Sequence, residues 1–157
     1  MIDATDDRHK AIEAHGRAWT LLEKAGRTEA ETAEMIGAAH ASLKAWEAAG
    51  GSIEAQRGNW LVARAYVDAG FAKPALEFAR RTIELTRAHQ TTLADFDLAF
   101  AKEIAARAWA LAGNLPRAKE HYDGARKLGE AIKDESDRVE FFRQLALGPW
   151  SGLDATA

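Results

Sequence analysis

The chain has 157 residues, 47% hydrophobic and 29% charged, with a net charge of −3 and no cysteine. This length suits one domain with its own core, and the absent cysteines exclude a disulfide framework, thiolate zinc sites and a cysteine nucleophile. Basic and acidic residues alternate throughout, which excludes a basic nucleic-acid footprint over the whole domain and leaves only a localised basic groove open.

Alanine, leucine, glutamate, lysine and arginine dominate, valine is scarce, and three prolines are present. Such a composition predicts an all-α chain. The polar, acidic stretch from Met1 to Lys10 does not read as a secretory signal, and no apolar run approaches the roughly 18 residues of a membrane span. The expected location is cytoplasmic, without membrane partners.

The first predicted helix covers 7–25, with Ile12, Trp19 and Leu22 as its apolar residues, and stops at Gly26. Thr28 caps the second, with Glu31 completing a capping box. That helix reaches Ala49 before Gly50-Gly51. Ser52 caps the third, which ends near Gly70. The fourth follows Phe71, holds Pro74 in its first turn where a missing N–H is harmless, and runs to His89. Thr92 and Asp95 form a capping box for the fifth, which reaches Gly113. Asn114 caps the sixth; Pro116 lies in its first turn, Gly129 weakens it, and it ends near Lys133. Asp134 or Ser136 opens the seventh, with Val139, Phe142 and Leu145 on one face and Phe141 beside them. The tail, 148–157, is irregular, with Trp150 folding back onto the last helix. The chain reads as one domain, 1–157: a first helix pair (7–49), two repeats (52–89 and 93–133), a capping helix (134–147) and the tail.

The third and fifth helices end alike. Arg64-Ala65-Tyr66-Val67-Asp68-Ala69-Gly70 parallels Arg107-Ala108-Trp109-Ala110-Leu111-Ala112-Gly113, and Ala75 and Ala118 follow five residues after the glycines. From Gly70 to Gly113 the period is 43 residues, a length that signals stacked helix pairs. The glycine permits a positive φ at the helix end. The aromatic four residues earlier is expected on the core face, and the alanine lets the next helix approach closely.

These residues resemble tetratricopeptide repeats. Ala63, Tyr66, Gly70 and Ala75 fall in step with that family in the first unit, and Ala106, Trp109, Gly113, Ala118 and Tyr122 do so in the second. The pattern departs from the family where Asn59 and Lys102 replace tryptophan, alanine replaces a usual glycine, and the closing proline is absent. The period also exceeds the family's roughly 34 residues, with the loop at 90–94 absorbing the excess. The ending Gly148-Pro149-Trp150 looks like that of bacterial proteins of this type. The resemblance implies a right-handed superhelix of helix hairpins that binds a peptide on the concave face made by the first helix of each pair.

On that face the third helix carries Arg57, Trp60 and Arg64, three and four residues apart and so on one stripe. The fifth carries Asp97, Phe100, Glu103 and Arg107. Two arginines beside a tryptophan suit a carboxylate or an acidic peptide, because guanidinium binds carboxylate in a bidentate way. The plainer alternative pairs Arg64 and Arg107 with Asp97 and Glu103 across neighbouring helices, holding the stack in register. Asp97 and Glu103, about 120° apart around a helix, are expected on opposite faces.

The expected function is therefore a non-catalytic scaffold for a protein or peptide, with no cofactor and no metal. The alternative is a small-molecule or metal-binding bundle, enzymatic or not, using the same groove with a histidine such as His40 or His89 near Asp97 or Glu103. The seventh helix, from Glu135 to Leu147, caps the array or, alternatively, joins a homodimer.

Overall fold

The computed structural model describes residues 4–154. Of the polar opening and the irregular tail, 1–3 and 155–157 lie outside the described residues. Those described form seven helices and no strand: α1 (Ala4–Glu23), α2 (Glu29–Ala49), α3 (Ser52–Ala69), α4 (Ala72–Ala88), α5 (Asp95–Leu111), α6 (Leu115–Glu130) and α7 (Glu135–Ala146). No helix among them is long and apolar enough to cross a membrane.

The helices stack as hairpins. Each packs on the next in sequence, most extensively α1 on α2, α3 on α4 and α5 on α6. The odd helices also touch one another in turn: α1 meets α3, α3 meets α5, and α5 meets α7. The even helices meet only their sequence neighbours. An inner layer of α1, α3, α5 and α7 thus backs onto an outer layer of α2, α4 and α6. Alanine makes this approach possible: Ala18, Ala39, Ala63, Ala75, Ala106 and Ala118 are all fully buried.

Local chemistry explains most helix ends. Thr28 accepts the Glu31 amide and Glu31 accepts the Thr28 amide, closing the expected capping box. Gly70 and Gly113 hold φ of +85° and +86°. Behind them, Phe71 N–H donates to the Tyr66 carbonyl and Asn114 N–H to the Trp109 carbonyl, the same closing bond in both turns. Asn114 caps α6 and Asp134 caps α7, as expected.

Five ends differ from the sequence reading. Helix α1 begins at Ala4 and ends at Glu23, where Arg27 donates to the Leu21, Leu22 and Lys24 carbonyls and closes the last turn. Gly51, not Ser52, is the residue before α3. Helix α5 starts after Ala94: Asp97 reaches back to the Ala94 amide, while Thr92 donates to the His89 carbonyl. Helix α6 ends at Glu130 because Ile132 turns inward and is buried.

Two faces also differ. In α1, Ile12 is 52% exposed while Ala11, Ala18, Leu21 and Leu22 are buried. In α7, the buried residues are Phe141, Gln144 and Leu145, and Val139 is 61% exposed. Phe141 and Leu145 lie one turn apart and face α5 and α6, so the stripe is rotated from the expected one. Trp150 does fold back: its ring meets Tyr122 edge-on at 5.0 Å, and its Nε1–H donates to the Leu145 carbonyl.

Candidate functional site

The α3–α5 interface brings together all seven residues singled out in the sequence. Arg57 donates twice to the Asp97 carboxylate, both bonds at 2.9 Å. This bidentate pair raises the Arg57 pKa above its ordinary value. Trp60 Nε1–H is shared between the Phe100 carbonyl at 3.2 Å and Glu103 Oε2 at 3.3 Å. Its ring stacks on Trp19 of α1 and meets Phe100 edge-on.

Glu103 and Arg107 are both fully buried. Glu103 Oε1 accepts from Arg107 Nε at 2.5 Å and from Arg64 Nη1 at 3.5 Å. Arg64 donates through Nε to Asp68 at 2.9 Å, and Asp68 lies 3.8 Å from Arg27. The result is an alternating chain, Arg27–Asp68–Arg64–Glu103–Arg107, with one cation more than its carboxylates. Carbonyls of the last helix and tail absorb the surplus. Arg107 donates to Gln144 O at 2.9 Å and Pro149 O at 3.2 Å, and Arg64 donates to Gly148 O at 3.3 Å. Gln144 lies in the final turn of α7, where helix carbonyls carry partial negative charge. The Arg107 guanidinium also sits 4.1 Å from the Trp150 ring centroid. Burial lowers the Arg107 pKa, partly offset by Glu103; burial likewise raises the Asp68 pKa, partly offset by Arg64 and Arg27.

The arrangement present is the paired one. Asp97 and Glu103 are not on opposite faces of α5. Both turn to α3, where they take Arg57 and Arg64, two helical turns apart. Arg64, 4% exposed, and Arg107 are covered by the tail and already bonded. Arg57 alone keeps about half its side chain exposed, at 46%.

An opening remains beside this interface. The backbones of α1 and α7 stay apart, so a groove is left between them above α3 and α5. At one end it holds a cavity of about 270 Å³ walled by His15, Trp19, Arg57, Trp60, Phe96, Phe100 and Glu140. Past Trp19 and Gln144 it continues into a second hollow of about 470 Å³ beside Glu23, Asp68 and Arg143. Burial lowers the His15 pKa, favouring neutral imidazole. Glu140 is held by Arg143 and Gln144, and the Arg143 bond keeps its carboxyl below the usual range. The two carboxylates lining the cavity, Asp97 and Glu140, each have a basic partner, and what the cavity presents freely is aromatic surface.

Trp19, Phe96, His15 and Glu140 were not singled out by sequence reasoning. No local pattern marks them, because they come from three separate helices. The histidines read as metal candidates lie elsewhere. His40 Nε2 bonds the Tyr66 hydroxyl at 2.7 Å, and His89 closes α4. Neither bonds Asp97 or Glu103, and among the described residues no group of three or more histidines and carboxylates gathers to hold a metal. Trp109, expected on the core face, instead lies half-buried on the outer side, with the Arg117 guanidinium 4.8 Å from its ring centroid. Comparison with known protein families, with characterised proteins and with solved structures finds no match to this chain.

Proposed function

We propose that this chain is a non-catalytic binding scaffold, which holds a segment of a partner protein in the groove between α1 and α7. The observation that supports it is the open aromatic cavity of Trp19, Trp60, Phe96 and Phe100 beside polar groups that are already satisfied. Rigid aromatic faces provide contact area at low entropic loss, and such residues dominate binding hot spots. One apolar or aromatic side chain of the partner fills the cavity, while Arg57 at its rim meets a carboxylate or carbonyl of the same segment. The tetratricopeptide resemblance points to the same inner face, since α3 and α5 belong to that layer.

The groove is tested with Trp19→Ala rather than with the two buried arginines, whose loss would damage the fold. Affinity capture from source-cell lysate is run on the wild type, on Trp19→Ala and on the remote control Arg80→Ala. A partner retained by the control and lost by Trp19→Ala, with melting temperatures of the variants alike, supports the groove. Equal capture by all three removes it. A second reading, a small-molecule pocket, is favoured by the cavity volume of about 270 Å³, close to the lower range of ligand sites. It predicts a defined compound that raises the melting temperature of the wild type but not of Trp19→Ala.

A further inference from the structure

The outer layer has a valley of its own. Helices α4 and α6 both pack on α5 but their own backbones stay apart. Two adjoining cavities, of about 430 and 160 Å³, fill the gap and share Ile83 and Arg87. The floor is mainly apolar, with Ala101, Ala105 and Trp109 of α5. Along α4 the lining runs from Leu76 to Arg87, about 17 Å at helical rise, and Gln90 extends it just past the helix end.

The charges in this valley are unbalanced. Arg87, Lys102 and Arg117 line it from three helices, and none has a carboxylate partner among the described residues. Of the nearby carboxylates, Glu77, which lines the valley, is held by Arg81, Glu84 by Arg80 and Asp123 by Lys119, while Glu120 lies close enough to act on His121, so cations outnumber the unpaired carboxylate three to one. His121 of α6 faces the same cations, with its Nδ1 buried and without a hydrogen-bond partner. Cations gathered over low-dielectric walls focus a positive potential.

We propose that the α4–α6 valley is a second binding site, for an acidic peptide segment that lays apolar residues on the floor and carboxylates against Arg87, Lys102 and Arg117. Three features select this occupant. The valley is elongated, where a single phosphate or carboxylate would fill one end. Its floor is apolar, which suits the buried face of an amphipathic segment. It has no free stacking platform for nucleic acid bases, since Arg117 already covers Trp109. This face is distinct from the α1–α7 groove, so the two sites stand or fall separately.

Fluorescence anisotropy tests the proposal on the full chain. The probe is a labelled helical peptide of about 12 residues, matched to the valley length, with leucines on one face and glutamates flanking them. Its comparators are the same peptide with glutamine for glutamate, and a single-stranded oligonucleotide. The glutamate peptide should bind at least about tenfold tighter than its glutamine version and weaken as salt rises. Arg87→Ser with Arg117→Ser, both exposed positions, should remove that advantage, while Trp19→Ala leaves it intact. No binding by the glutamate peptide, equal binding of the glutamine version, an unaffected double variant, or tighter binding of the oligonucleotide would overturn it.

Discussion

Arg107 shows what a single residue does in this fold. It is fully buried, bonded to Glu103, to two carbonyls of the α7–tail segment and to the face of Trp150. A charge removed from water is tolerated only with this many partners. Arg107→Ala strips Glu103 of its closest partner, leaves Pro149 O without its donor and leaves Gln144 O with the Leu147 N–H alone. The expected loss is about 3–5 kcal/mol in urea unfolding. Adding Glu103→Leu to Arg107→Met removes both charges together, and should recover much of that loss, because apolar groups of similar volume replace a buried pair at little penalty. A double variant as unstable as Arg107→Ala would count against the ion pair as the source of the effect. The same geometry reassigns Arg64 and Arg107: two arginines at matching places in two repeats read as a binding stripe, yet they converge on one glutamate.

At the scale of elements, the α6–α7 contact depends on a residue that looks like a defect. Gly129 sits in a helix, where glycine is worth about 1 kcal/mol less than alanine. A Cβ there would lie 2.3 Å from Phe141 Cε1 and 3.1 Å from Phe142 Cζ. Phe141 is fully buried and packs edge-on against Phe100, so it has no room to retreat. Gly129→Ala should therefore destabilise by about 1–2 kcal/mol despite better helix propensity. Thermal melts should show a lowered midpoint, with Gly37→Ala, whose added methyl meets open space, unchanged or raised. A raised midpoint for Gly129→Ala would mean that α7 packs more loosely on α6 than the structure shows. The hairpin turns are the opposite case: Gly70 and Gly113, their positive φ and their shared closing bonds follow from local chemistry, and both were legible in the repeated words.

For the whole molecule, three histidines set the response to acid. Burial is the leading cause of a lowered pKa at His15, His40 and His121. A group with a lowered folded pKa binds fewer protons folded than unfolded. Its neutral form is accommodated above the unfolded value near 6.5, and stability falls as pH drops through that value. The melting temperature should be highest near pH 7.5 and decline by pH 5.5. Asp68 works in the other direction: burial raises its folded pKa, so protonation favours the native state, and that contribution is lost as pH rises through the folded value. His40→Phe should flatten the decline in part; an unchanged slope in all three single variants would rule the histidines out as its source.

The all-helical class, the seven helices of the described residues, the Thr28–Glu31 box, the Asn114 cap and the two glycine turns follow from residues within a few positions of each other. Propensity, capping and positive φ are local energies, so the sequence alone determined them. The sequence also placed Arg57, Trp60 and Arg64 on one stripe and Phe100, Glu103 and Arg107 on the stripe facing it, but did not bring Asp97 to the same face as Glu103. Only the tertiary structure decided what those stripes do. The Arg107 partners Gln144 and Pro149 lie some 40 residues away along the chain, and whether a charge is a site or a strut depends on who meets it in space. The α1–α7 groove and the α4–α6 valley exist because the backbones of particular helices stay apart, and that separation leaves no mark in any local pattern.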